Sequence, residues 1–225
     1  MDSLDYKKIY GTQDKALAIV FGVENEFYLT GGTCLSRFYK AKRYSDDLDL
    51  FTNSSSRYSF AVKNIKFALQ REFTLNVEVE SKDFIRFKLN DVLQIDFIND
   101  ISSRYKDVIV LENGFIIDNI ENILSNKLTA VMGRDNPKDV FDIYLIAKYY
   151  SFHWKDILDS AHKKAGFSDD DLIIRLKSFP SELFSKINLI DKKFLNHFEE
   201  EFPKIISEIN NGLTHNAIAQ ERDSA

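Results

Sequence analysis

From Thr74 to Glu80 apolar and polar side chains alternate one for one, Leu75, Val77 and Val79 against Asn76, Glu78 and Glu80. A period of two gives a β-strand two unlike faces. Phe84 to Leu89 alternates in part, and after the turn pair Asn90-Asp91 an apolar segment runs from Val92 to Ile98. These last two segments predict a hairpin with Asp91 at its tip. Upstream the period lengthens. Lys15 to Phe21 predicts a helix on Ala16, Leu17 and Val20, and Phe60 to Phe73 predicts another on Val62, Ile65, Phe67, Ala68 and Leu69. Between those helices lie a short strand over Glu26–Leu29, a helix over Thr33–Lys40 and a second strand over Leu48–Phe51.

Beyond about residue 118 only the helical period remains. Ile120, Ile123, Leu124, Leu128 and Val131 recur at helix spacing, and Asn136-Pro137 supplies an N-cap and a first helical position. Further helices are predicted over His153–Lys164, Asp169–Leu176 and Phe194–Ile209, and the polar tail after Gly212 is expected to fray. The pattern therefore predicts an α+β chain. A small mixed sheet with helices occupies residues 1–115, and an all-helical part occupies residues 116–225.

Composition narrows the class. With 44% apolar residues, 8 Gly and 3 Pro in 225 residues, the chain has a core and is not a low-complexity segment. The net charge of −5 gives no global attraction for nucleic acid. A local patch remains open: Arg37, Lys40, Lys42 and Arg43 are either a solvated charge run or a cradle for triphosphate or RNA backbone. Cys34 is the only cysteine, which excludes an internal disulfide and a thiolate metal cluster and makes a reducing, cytoplasmic setting the default expectation. No apolar run approaches the ~20 residues of a membrane span, and Met1-Asp2-Ser3-Leu4-Asp5 lacks the features of a signal peptide. No membrane partner is expected.

The candidate chemistry lies in the strands. Asp47 and Asp49 alternate with Leu48 and Leu50, so the two carboxylates share a face while the leucines turn to the core. Acids are depleted from strands, and metal binding explains this placement. Asp96, one acid in the apolar segment Leu93–Ile98, becomes a third carboxylate if its strand lies beside that of Asp47 and Asp49. Three such acids suit two divalent ions, Mg²⁺ or Mn²⁺. Gly31-Gly32 either forms an ordinary strand-to-helix turn or lets the backbone approach phosphates, and Thr33 adds a hydroxyl to those phosphates or caps the helix. Asp139, third residue of the helix opened by Asn136-Pro137, sits where a carboxylate helps to close a cap. Arg134 is either a cation of the site or a solvated helix-end charge.

Gly31-Gly32-Thr33-Cys34-Leu35 followed by Arg43-Tyr44-Ser45-Asp46-Asp47-Leu48-Asp49-Leu50-Phe51 resembles the opening motif of the AbiEii/AbiGii-type nucleotidyltransferases. Those are bacterial proteins of the DNA polymerase β-like superfamily, often the toxin half of a toxin–antitoxin or phage-defence pair. A second block is similar to the same family: Lys127-Leu128-Thr129-Ala130, then Arg134, then Lys138-Asp139 with Asp142 and Tyr144. The likeness covers about residues 25 to 150.

The resemblance implies an enzyme that moves a nucleoside monophosphate from an NTP to a hydroxyl. It implies metal binding and catalysis by Asp47, Asp49 and Asp96, and a triphosphate held by Gly31, Gly32, Thr33, Lys127 and Arg134. It makes Asp139 or Asp142 an orienter of Lys127 or an arginine, and the helical part a lid on the cleft. It further implies an RNA acceptor, especially the tRNA 3′ end, and a cognate antitoxin as partner. Phosphoryl transfer or NTP hydrolysis on the same site, and a nucleotide-binding protein without chemistry, are the alternatives.

Overall fold

The computed structural model describes residues 3–219 of the chain, which fold as two compact units. One unit runs to Phe38 and resumes from Tyr44 to Asn119; the other joins Tyr39–Arg43 to the chain from Ile120 onward.

The first unit opens with helix α1 (Ser3–Val23). It starts well before the predicted Lys15 because its buried stripe continues through Tyr6, Ile9 and Gln13, only one of which is aliphatic. Gln13 donates through its amide to the Ser45 carbonyl at 3.1 Å, and Tyr6 stacks on Tyr44 with ring centroids 4.0 Å apart. Strand β1 (Tyr28–Thr30) leads into a single helical turn, α2 (Gly31–Cys34), followed by π-helical residues Leu35–Tyr39 where one regular helix is predicted. Then come β2 (Asp47–Asn53), α3 (Tyr58–Leu69), β3 (Leu75–Glu80), β4 (Phe84–Leu89) and β5 (Leu93–Asp100), with two-residue strands β6 (Ile109–Val110) and β7 (Ile116–Ile117) closing the unit.

All seven strands form one mixed sheet in the order β3-β4-β5-β2-β1-β7-β6. The pairs β2–β5 and β1–β7 are parallel and the others antiparallel. Asn90 and Asp91 both hold positive φ, 49° and 57°, at the centre of the turn that the Val92 amide closes on the Leu89 carbonyl at 3.0 Å, just before the Leu89–Leu93 pair. One face of the sheet carries Leu48, Leu50, Ile85, Phe87, Leu89, Leu93, Ile95 and Phe97, all buried, and α1 packs on both α3 and β5. The strand acids therefore sit on the other face.

The second unit is helical, with α4 (Ile120–Gly133), α5 (Pro137–Tyr149), α6 (Trp154–Lys164), α7 (Asp169–Lys177) and α8 (Phe198–Asn210), and a 3₁₀ segment over Ser181–Lys186. Asn136 caps α5 as its sequence predicts, its side chain accepting from the Lys138 amide at 3.0 Å. The expectation that the tail frays needs correction as far as residue 219, and the rest of the tail lies outside the described residues. Thr214–His215 (β9) pairs with Phe152–His153 (β8), and His215 is 1% exposed against the rings of Phe152 and Trp154. A polar residue can thus anchor a terminus when its ring nitrogens meet the Glu208 carboxylate and the Ala147 carbonyl.

Candidate functional site

Strand register turns the acid-bearing face into rows of facing side chains. In the parallel β2–β5 pair Asp47 lies opposite Gln94 and Asp49 opposite Asp96. The antiparallel pairs extend the rows outward: Lys88 faces Gln94, Arg86 faces Asp96, and Thr30 faces Asp49 on the far side. One row reads Lys88–Gln94–Asp47; the next reads Arg86–Asp96–Asp49–Thr30. Neighbouring strands lie about 4.8 Å apart, so facing carboxylates in a row are side by side.

Gly31 fits this face in a way no other residue would. Its φ is +71°, and a Cβ placed there would come within 2.6 Å of Asp49 Oδ2. The backbone at the start of α2 and the Asp49 carboxylate therefore touch. Gly32 is buried beside it. Thr33 is also buried, and its hydroxyl donates to the Asp47 backbone carbonyl, which ties α2 to β2. Thirteen residues separate Thr33 from Asp47 in the chain, so only the fold shows that this hydroxyl is used for packing.

Asp96 has its oxygens engaged. Arg86 grips it with two parallel bonds, Nε to Oδ1 and Nη2 to Oδ2, each 2.7 Å, and Gln94 Nε2 lies 3.3 Å from Oδ2. Asp96 is 7% exposed while the Arg86 side chain keeps 31% of its surface open. The Asp96 hydrogen bond raises the Arg86 pKa against partial desolvation, and the charges of Glu78 and Asp47 push the same way. Among the described residues no three His, Cys, Asp or Glu side chains converge to hold a metal ion. Asp47 and Asp49, both partly exposed on one strand face, fit a hard divalent ion of the kind that takes one or two carboxylates and completes its shell with phosphate and water. As held, Asp96 does not serve as a third ligand.

A second constellation lies within the helical unit. Lys127 of α4 reaches Asp139 at 2.8 Å and Asp142 at 2.7 Å, both on α5. Arg43 clasps Asp142 through Nε and Nη2, each at 2.7 Å, and Arg134 clasps Asp139 at 2.6 and 2.9 Å. Three cations thus share two carboxylates, leaving one positive charge in excess. Burial works against charge at Lys127, but Asp142 and Asp139 outweigh it and hold its pKa above the usual lysine value. Burial likewise opposes ionisation of Asp139, yet Lys127 and Arg134 bring its pKa down to about 2. Asp142 is lowered by Arg43 and Lys127 over the same desolvation. Arg134 is the member in contact with solvent, its side chain 57% exposed. It lines a cavity of about 350 Å³ together with Asn136, Arg175 and Phe179.

The family model for the AbiEii nucleotidyl transferase toxin of type IV toxin–antitoxin systems matches residues 16–220. The chain belongs to this family. An uncharacterized Aquifex aeolicus (strain VF5) protein is 26% identical over 212 residues, which covers 90% of this chain and 98% of that one. In fold the chain is similar to JHP933 from Helicobacter pylori, with a TM-score of 0.55 at 21% identity, covering 92% of this chain and 93% of that one. A second Helicobacter pylori structure shares the fold with a TM-score of 0.51 at 23% identity, covering 94% and 93%.

Against that family the residues named from sequence fall into two groups. Gly31, Gly32, Thr33, Asp47, Asp49 and Asp96 lie together around the strand face of the sheet unit. Lys127, Arg134, Asp139 and Asp142 lie together in the helical unit. The basic run separates into individual partnerships. Arg37 binds Asp14 and stacks on Tyr10, Lys42 binds Asp191, Lys40 lies over the Tyr149 ring, and Arg43 is buried on Asp142. Sequence reasoning passed over Arg86 and Lys88. The alternation Arg86-Phe87-Lys88 was the available signal, since it puts both cations on the face opposite the buried Phe87.

Proposed function

We propose that this AbiEii family member is a divalent-metal-dependent nucleotidyltransferase that moves a nucleoside monophosphate from an NTP to a hydroxyl of RNA, with the tRNA 3′ end as the favoured acceptor. The observation that carries this reading is the row Arg86–Asp96–Asp49–Thr30, which brings a third strand acid beside the Asp47–Asp49 pair, with Asp49 against Gly31. Bound by Asp47 and Asp49, Mg²⁺ or Mn²⁺ would neutralise the triphosphate and favour ionisation of the attacking hydroxyl. Gly31 and Gly32 keep this edge of the face free of side chains, so phosphates can lie close to the backbone. The acceptor oxygen bonds to the α-phosphorus while the bridging α–β bond breaks. Pyrophosphate leaves, and Asp96, once its oxygens are clear of Arg86, would help to hold a second ion and would take the hydroxyl proton. Lys127 and Arg134, both bound to Asp139, are the cations proposed to offset the charge of the triphosphate.

In this proposal residues 1–115 carry the reacting groups, and residues 116–225 form the helical part. The working environment is the cytoplasm, and a cognate antitoxin is encoded with the chain. Among the described residues no helix is long and apolar enough to cross a membrane.

The test is direct. Purified protein is incubated with total bacterial RNA, Mg²⁺ and each α-³²P-labelled NTP in turn. One labelled RNA band with one NTP is expected, and Asp49→Asn should lower its yield by at least about a hundredfold. Label on protein alone would move the acceptor to a side-chain hydroxyl. Labelled free nucleotide products without any transfer would favour hydrolysis.

A further inference from the structure

We propose that Arg86 is a positioning residue that withholds Asp96 from the reaction until an acceptor phosphate draws its guanidinium away. The inference rests on the nucleotidyl-transfer reading and goes beyond it. It assigns a role to Arg86 and Lys88, and it makes readiness of the third carboxylate depend on the acceptor.

Three observations carry it. First, the two-bond grip of Arg86 occupies both Asp96 oxygens, and Gln94 adds a third contact on Oδ2. A carboxylate so engaged is a poor cation ligand and a poor proton acceptor, because either role displaces a charge-assisted bond. Second, the two partners differ in access. Asp96 is nearly closed off, whereas Arg86 presents about a third of its side chain to solvent. An incoming anion therefore meets the guanidinium before it meets the acid. Third, Lys88 stands on the same face two residues along β4, in the row that passes through Gln94 to Asp47. Arg86 and Lys88 together offer two cations with the spacing of alternate strand residues, about 7 Å. That spacing suits successive phosphates of a single-stranded polynucleotide.

The order of strands gives the direction of approach. With the triphosphate on the Gly31 side, the face reads β1, β2, β5, β4 away from it. In-line displacement requires the nucleophile on the side opposite the leaving pyrophosphate. That is the β5–β4 side, where Asp96 comes first and Arg86 and Lys88 next. A phosphate just upstream of the acceptor hydroxyl would arrive at Arg86 as the hydroxyl arrives at Asp96. A planar guanidinium binds phosphate by the same fork that binds carboxylate, so the exchange replaces one bidentate pair by another. The device favours transfer over futile hydrolysis: without an acceptor Asp96 stays on Arg86.

The experiment measures ion binding rather than turnover. Mn²⁺ is titrated by calorimetry and electron paramagnetic resonance into full-length parent protein, Arg86→Gln, Arg86→Lys and Lys88→Gln, each with the four α,β-methylene nucleoside triphosphates in turn. The titrations are run with and without bulk tRNA, and thermal melts establish that each variant is folded. The parent should bind one tight Mn²⁺ with analogue alone and a second at least about tenfold more tightly once tRNA is added. Arg86→Gln should show the tight second ion without tRNA and no further gain with it. Arg86→Lys, which keeps charge but loses the fork, should fall between, and Lys88→Gln should weaken the tRNA effect alone. Acceptor-independent hydrolysis of ordinary NTP should rise in Arg86→Gln by at least about tenfold. Equal second-ion affinity in parent and Arg86→Gln, with the first ion intact and lost in Asp49→Asn, would overturn this role while leaving nucleotidyl transfer standing. Analogue binding that ignores Mn²⁺ or survives Asp49→Asn unchanged would overturn both.

Discussion

Single residues in this chain are governed by charge compensation inside the fold. Arg43 and Asp142 have side chains 3% and 1% exposed and hold each other in a two-bond pair, with Lys127 on the same carboxylate. Removing one partner of a buried pair leaves a buried charge without its counter-ion. Asp142→Asn should therefore lower stability by about 3–5 kcal/mol, read from urea unfolding at neutral pH. The acid limb of stability follows from the same network. Asp139 has a pKa of about 2 in the folded chain against 3.8 unfolded, and Asp142 is lowered as well. A depressed carboxylate stabilises the fold above its unfolded pKa and loses that contribution as pH falls through the folded value. Asp139 alone should contribute about 2 kcal/mol at neutral pH, disappearing between roughly pH 4 and pH 2. Chemical denaturation at intervals across that window measures it, and Asp139→Asn should flatten the profile. Lys127 has the opposite sign. Its raised pKa stabilises the fold below the ordinary lysine value, and the contribution fades as pH climbs through the folded one.

At the scale of elements, the turn between β1 and α2 decides whether the strand acids are usable. Gly31 holds φ of +71°, and a Cβ at this point would meet Asp49 Oδ2 at 2.6 Å. Gly31→Ala meets both obstacles. Left-handed backbone costs a non-glycine residue about 1–2 kcal/mol, and the Asp49 carboxylate must rotate away. The variant should melt several degrees below the parent and bind Mn²⁺ at least about tenfold more weakly. A variant that melts lower yet binds Mn²⁺ as the parent does would show that the Gly31–Asp49 contact serves the turn alone. The hairpin over Asn90 and Asp91 was readable from sequence because its turn needs left-handed backbone that Asn and Asp tolerate. The short strands β6, β7, β8 and β9 were not readable. Two residues carry no period, and β7, β8 and β9 take partners from strands far off in the chain, as Leu29 of β1 faces Ile117 of β7.

For the molecule as a whole, net charge gives little help to RNA binding. The chain carries −5, and Arg37, Lys42 and Arg43 of its basic run are paired with Asp14, Asp191 and Asp142. If Arg86 and Lys88 provide the principal phosphate contacts, the logarithm of tRNA affinity against the logarithm of salt should have a slope of about −1.4, reduced by about 0.7 in Lys88→Gln. Filter binding across a salt series would reveal a broader basic surface as a slope several times steeper. Sequence alone determined the types of most of the longer elements, the change from mixed sheet to helices near residue 118, the capped start of α5, the glycine-then-acids motif and the family it resembles. These depend on local period, local backbone preference and spacing along the chain, which the order of residues contains directly. Tertiary structure decided which charges meet. It set Asp49 opposite Asp96, gave Asp96 to Arg86 and Asp142 to Arg43, and turned Thr33 inward onto Asp47. Strand register and side-chain pairing between distant segments have no counterpart in linear spacing, because a buried acid takes its partner from whichever cation the fold brings within reach.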